Sequence, residues 1–201
     1  MIIVNDVAQG TEEWFALRCG IPTSSNFDKI VTTKGEPSKS AKNYLYQLAG
    51  ERIAEAKAGT YQNAVMQRGI ELEVEARSLF QMIAIEVEEA GICYPDEEKR
   101  YACSPDGLSS DAGLEIKCPL IHTHVGYLLD GTLPTEYIQQ VQGSMLITGF
   151  THWWFMSYYP GLPPLIIDVS RDYKFTATLK VALDEFCDSL DSITARLGEL
   201  V

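Results

Sequence analysis

The chain has 201 residues, 46% of them hydrophobic, enough to bury one substantial core and too few to require two, so residues 1–201 are expected to form a single domain. A net charge of −12 repels polyanions over the molecule as a whole, yet residues 29–57 hold six basic against three acidic side chains, which leaves −15 on the remainder and allows one face to be basic. The apolar run Met1–Val4 is cut off by Asn5 and Asp6, too short for a membrane span or a secretory core, and the five cysteines form no Cys-x-x-Cys pair, so a cytoplasmic protein with reduced thiols is expected, with no membrane partner.

In chain order, Thr11 to Val31 reads as a helix ending near Gly20, a turn through Pro22, and a second helix capped by Ser24 or Ser25, with Asp28 completing a capping box. Residues 34–40, with Gly35 and Pro37, read as a loop before a helix marked by Tyr44, Leu45, Leu48 and Ile53. Leu72, Ala76, Leu79, Phe80 and Ile83 recur at helical spacing and predict a long amphipathic helix over about 65–85. Three short runs at 85–94, 100–105 and 112–119 are expected as antiparallel strands joined by polar turns. His122 and His124, two apart, read as loop or surface residues rather than a metal pair, since only three histidines exist and no acidic partner sits at zinc-site spacing.

A helix over about 135–148 precedes two strands, within 151–159 and 163–170, either side of a proline turn. Trp153 and Trp154, at alternating positions, divide between the core and an exposed face. Leu179, Leu183, Phe186, Leu190, Ile193 and Leu197 then mark a final helix that docks on the sheet or on a neighbouring subunit. The pattern is that of an α/β fold: one central mixed β-sheet flanked by helices. It contains neither a nucleophile elbow nor a phosphate-binding P-loop.

The chemistry lies in "SPDGLSSDAGLEIKCP", residues 104–119. Residues two apart in a strand share a face, so Glu115 and Lys117 project together while Leu114, Ile116 and Cys118 face the core. The turn at Pro105-Asp106-Gly107 brings Asp106 back toward that face. Two converging carboxylates repel unless a cation neutralises them, and magnesium, which takes carboxylate and carbonyl oxygens and keeps several waters, suits the pair. A lysine beside such a site can orient or deprotonate water and offset charge on a phosphate. The alternative is a solvated Glu115–Lys117 ion pair on an edge strand, with Asp106 as a turn former.

The order Pro105-Asp106, spacer, Glu115-x-Lys117 resembles the PD-(D/E)xK nucleases, and "ACSPDGLSSDAGLEIKCP" is similar to the phage lambda exonuclease, or YqaJ-type viral recombinase, family. "EEWFALRCGIPTSS", "RGIELEVEARSLF" and "EYIQQVQGSM" are similar to three further blocks of that family, in the same order. The resemblance implies a restriction-endonuclease-like core in which Asp106, Glu115, the carbonyl of Ile116 and Glu73 hold magnesium, with manganese as a substitute, and Lys117 assists the attacking water. Glu73 read alone is an i,i+4 partner of Arg77.

The resemblance places Arg18, Ser25, Ser104 and Gln140 on the terminal 5'-phosphate, with Tyr137 packing beneath Gln140. Read alone, these are a helix-end charge, an N-cap, a turn residue and a surface amide. Met66 aligns near an apolar wedge that splits the duplex end, or is ordinary helix packing; Lys34 is a DNA-backbone contact or a solvated loop lysine. The activity implied is 5'-to-3' digestion of double-stranded DNA ends by a ring-shaped homotrimer that works with a single-strand annealing protein. The rivals are a PD-(D/E)xK endonuclease of restriction or repair type and a non-catalytic DNA-binding or assembly protein.

Overall fold

A computed structural model describes residues 1–55 and 64–200, with the side chains of 64–66 outside that description. Strand β1 (Ile2–Val4) leads to helix α1 (Glu12–Leu17), a short 3-10 helix (Ser24–Lys29), α2 (Ala41–Ala54) and α3 (Ala64–Ile83). Then come β2 (Ile92–Tyr94), β3 (Gly107–Leu108), β4 (Ala112–Lys117), α4 (Ile121–Asp130), a 3-10 turn (Thr135–Tyr137) and α5 (Ile138–Thr148). Strands β5 (His152–Ser157) and β6 (Leu165–Ser170) and the long helix α6 (Tyr173–Gly198) complete the order.

The main sheet runs β3-β4-β5-β6, antiparallel at both ends and parallel between β4 and β5, so the expected mixed sheet flanked by helices is what forms. A parallel pair needs a crossover from one end of the sheet to the other. Helices α4 and α5 supply it, so His122 and His124, expected as loop or surface residues, lie on a helix. The apolar spacing of Ile121, Val125 and Leu129 gives no core signal because all three are exposed, whereas His124, expected at the surface, is fully buried. Its Nδ1 lies 2.7 Å from Ser157 Oγ and its Nε2 3.1 Å from the Pro163 carbonyl, so two hydrogen bonds rather than apolar contacts hold that face to the sheet.

Two further expectations are corrected. The segment 24–29 is a 3-10 helix whose N-cap is Thr23, with no side-chain capping bond and hence no Ser25–Asp28 capping box; the Ser25 hydroxyl is engaged elsewhere. The run 100–105 forms no strand: it meets the main chain of β2 at a single bridge, Cys93 to Cys103, and β2 pairs with β1.

Strand β4 is interior to the sheet, and the burial of successive residues along it shows that both its faces are covered. On one, Leu114 and Ile116 pack with Met156 against Ala76 and Phe80 of α3. On the other, Trp153 and Phe155 pack with Val141 and Met145 of α5 and Leu179 and Leu183 of α6. Trp154, expected on an exposed face, is half-buried with its ring edge-on to Phe80. Helix α6 opens at Asp172, whose carboxylate accepts the Phe175 N–H at 2.9 Å, and docks on the sheet within this chain. Among the described residues no helix is long and apolar enough to cross a membrane.

Gly113 sits opposite Trp153 in the parallel ladder, and a Cβ there would lie 2.3 Å from the indole ring. Since Trp153 is fully buried it cannot swing away. Gly113→Ala is expected to destabilise the protein by about 1–3 kcal/mol, read as a lower urea midpoint with a shifted tryptophan emission; an unchanged midpoint would show that the ring has room to move.

Candidate active site

The interior position of β4 decides the state of its polar residues. Glu115 is 2% exposed, so it is no part of a solvated edge-strand ion pair. Its Oε1 accepts the Lys117 ammonium at 2.5 Å and the Gln140 side-chain amide of α5 at 2.6 Å. Lys117 Nζ also lies 5.2 Å from the centroid of the Tyr137 ring, which stacks on Phe155. Tyr137 thus packs against the lysine and the strand. Gln140, implied as a phosphate ligand, here holds the Glu115 carboxylate.

Asp106 reaches the same place from the adjoining segment. Its N–H donates to the Leu114 carbonyl at 3.0 Å, and its Oδ2 accepts the Ile116 N–H at 2.6 Å. Glu73, on α3, is bound by Arg77 at 2.6 Å, and the same guanidinium donates to the Asp106 carbonyl at 2.7 Å and pairs with Glu89. Arg77 thereby fastens α3 to the Asp106 segment, a long-range contact that the i,i+4 spacing alone does not disclose.

The electrostatics are those of crowded carboxylates. Burial, then the charges of Glu115 and Glu73, push the Asp106 carboxyl well above the usual carboxylate range, with Lys117 pulling the other way. Glu73 is also raised, by burial first, although Arg77 opposes the shift. For Lys117 burial acts downward, but Glu115 and Asp106 outweigh it and the ammonium is held more tightly than usual. The group is therefore short of positive charge and its lysine is protonated.

Those conditions suit a hard cation. Among the described residues no three Asp, Glu, His or Cys side chains are gathered as a metal-binding set. Asp106 and Glu115 would be the carboxylate donors, the Ile116 main chain lies between them in the same network, and Glu73 stands aside on Arg77.

Arg18 makes a second polar centre. It caps the C-terminal end of α1 and its side chain is 8% exposed. One amino group donates to Ser104 Oγ at 2.7 Å; the other lies 3.3 Å from both Thr23 Oγ1 and Ser25 Oγ. The Trp14 ring, one turn earlier, covers the guanidinium at 4.2 Å, and its Nε1 donates to Ser104 Oγ and to the Gly91 carbonyl. Burial lowers the Arg18 pKa, yet an arginine remains charged. Arg18 has no carboxylate partner among the described residues, and its Nε is buried without an acceptor. A buried guanidinium surrounded by hydroxyls has the donor chemistry that suits an anion.

The two centres share one cleft of about 960 Å³, lined by Arg18, Ser25, Asn26 and Lys29 on one side and by Glu73, Arg77 and Asp106 on the other. Residues 103–106 join them: Cys103 is bridged to β2, Ser104 receives Arg18, Gln9 donates to the Pro105 carbonyl at 2.8 Å, and Asp106 follows. Exposed Lys34 does not line this cleft; its loop packs near Thr178 of α6. Met66 falls in the first turn of α3, and its side chain lies outside the described residues. Trp14 and Thr23 fall in the motif block "EEWFALRCGIPTSS" but carried no assigned role, Arg77 was legible only as the i,i+4 partner of Glu73, and nothing in the sequence pointed to Gln9.

A mixed sheet carrying a hydrogen-bonded Asp106, Glu115, Lys117 set in the order of PD-(D/E)xK defines an α/β protein of the restriction-endonuclease-like class. Residues 13–151 match the YqaJ-like viral recombinase domain, and the chain belongs to that family. It is similar to an alkaline exonuclease, LHK-Exo, from Laribacter hongkongensis, with 32% identity, 94% of this chain and 97% of that one covered, and a TM-score of 0.85. The same figures hold for LHK-Exo in complex with dAMP. A phage-related exonuclease from Haemophilus somnus shares the fold at 15% identity, 88% and 96% coverage and a TM-score of 0.70. No curated protein sequence matches.

The raised Asp106 pKa has a stability consequence. A carboxyl whose folded pKa exceeds its unfolded value contributes stability below the unfolded value, about 3.9, and loses it as pH rises through the folded one. In EDTA, Asp106→Asn should melt higher than the wild type at pH 8 and show no advantage near pH 4. A variant that melts lower at pH 8 would contradict this, since its amide oxygen can still accept the Ile116 N–H.

Proposed function

We propose that the protein is a magnesium-dependent 5'-to-3' exonuclease that acts on ends of double-stranded DNA, degrades the 5'-phosphorylated strand to mononucleotides and leaves a 3' single strand for recombination. One observation carries the reading: a single cleft holds both an anion receptor at Arg18 and a cation-seeking carboxylate group at Asp106. The likeness to an alkaline exonuclease, crystallised in one case with dAMP, agrees with release of single nucleotides.

Arg18, with Ser25 and Ser104, would hold the terminal phosphate and thereby set which phosphodiester lies over Asp106 and Glu115. A magnesium ion, or manganese in its place, would be held by Asp106, Glu115 and the Ile116 carbonyl, with Glu73 as a further ligand if it leaves Arg77. When bound it would supply charge stabilisation and an acidified water. Lys117, kept protonated by Glu115 and Asp106, would donate to the attacked phosphate or to the incoming water. Gln140 and Tyr137 would fix the Glu115–Lys117 pair. Net repulsion of DNA by a chain of charge −12 favours enclosure of the duplex over attraction to it, which supports a homotrimeric ring, with an annealing protein taking up the exposed strand.

The test offers linear duplexes with and without a 5'-phosphate, and a circular duplex, in magnesium and then in EDTA. Rapid loss of the phosphorylated strand alone, with metal alone, is expected. Lys117→Ala should lower the rate at least ~10³-fold while DNA binding persists. Cutting of the circle would assign an endonuclease instead, equal rates on both ends would remove the phosphate receptor, and a one-chain mass by light scattering would remove the ring.

A further inference from the structure

The Arg18 receptor has a second cation at its rim. Lys29 ends the short 3-10 helix that carries Ser25, and it lines the same cleft as Arg18, Ser25 and Asn26. Its ammonium lies 5.0 Å from the centroid of the Tyr44 ring. Tyr44 is buried, its hydroxyl accepts the Thr23 N–H at 3.4 Å, and the Thr23 hydroxyl in turn accepts from Arg18. One ring and one threonine therefore back both cations.

The remaining cation of the cleft is paired. Arg77, the third basic residue among its described lining, is bound to Glu73 and Glu89. Arg18 and Lys29 form no ion pair among the described residues, and Lys29 carries its charge, half-exposed, on a flexible stem.

An internal phosphodiester has one negative charge, whereas a terminal phosphate monoester has nearly two at neutral pH. Arg18 and its hydroxyls balance one. We infer that Lys29 balances the second, and is the residue by which the cleft prefers a dianionic 5'-terminal phosphate to a singly charged group. The inference rests on the Arg18 centre being the 5'-phosphate receptor and adds to it the source of charge discrimination.

Three duplexes that differ only at the 5' end test it: phosphate, methyl phosphate with one charge, and hydroxyl. On kcat/KM, the wild type is expected to prefer phosphate over methyl phosphate by about tenfold, the scale of one hydrogen bond to a charged group, with hydroxyl slowest. Lys29→Gln should bring that ratio close to one by slowing only the phosphate end, and Lys29→Arg, which keeps the charge, should restore it. A Lys29→Gln enzyme of wild-type melting temperature that keeps the wild-type ratio would overturn the assignment to Lys29 while leaving the receptor intact. A wild type that treats phosphate and hydroxyl ends alike would overturn the receptor and the role of Lys29 with it.

Discussion

Two carboxylates crowded on neighbouring segments, Glu115 buried and Asp106 half-buried, are the constraint around which this molecule is arranged. Asp106 and Glu115 repel one another where burial weakens screening by water, and the single ammonium of Lys117 does not restore the Asp106 pKa to an ordinary value. The surroundings hold the pair in spite of this. Leu114 and Ile116 anchor the strand on one face, Phe155 and Tyr137 fill the other, and the Ile116 N–H and the Gln140 amide each satisfy a carboxylate oxygen. A cation bound there, as proposed, would gain affinity because whatever neutralises the pair relieves a cost already incurred on folding.

The second feature is the shortness of the connection between the carboxylates and the Arg18 centre. Ser104 and Asp106 are two residues apart, on a segment fastened by the Cys93 bridge, by Gln9 and by Arg77. A phosphate held at Arg18, as proposed, would therefore stand in a fixed relation to the carboxylates. Positioning of this kind replaces the entropy cost of finding the reacting bond with a cost met during folding.

How much of this could be read from the chain depends on the range of the interaction. The Glu115–Lys117 pairing follows from a strand's period of two, and α3 and α6 follow from helical periodicity, because those elements bury their apolar stripes. Helix α4 was illegible since its stripe is exposed and its buried side is held by His124 hydrogen bonds. Missing that crossover also concealed the parallel pairing of β4 with β5. The roles of Gln140 on Glu115 and Arg77 on the Asp106 carbonyl were out of reach for the same reason: both join residues far apart in sequence, and nothing local records the contact.

The claim that Asp106 and Glu115 share a cation is tested most directly by manganese uptake, followed through the paramagnetic resonance of the free ion as protein is added. The account predicts that the wild type binds manganese in competition with magnesium, and that Asp106→Asn and Glu115→Gln each weaken binding about tenfold or more. Wild-type affinity in both variants would contradict it.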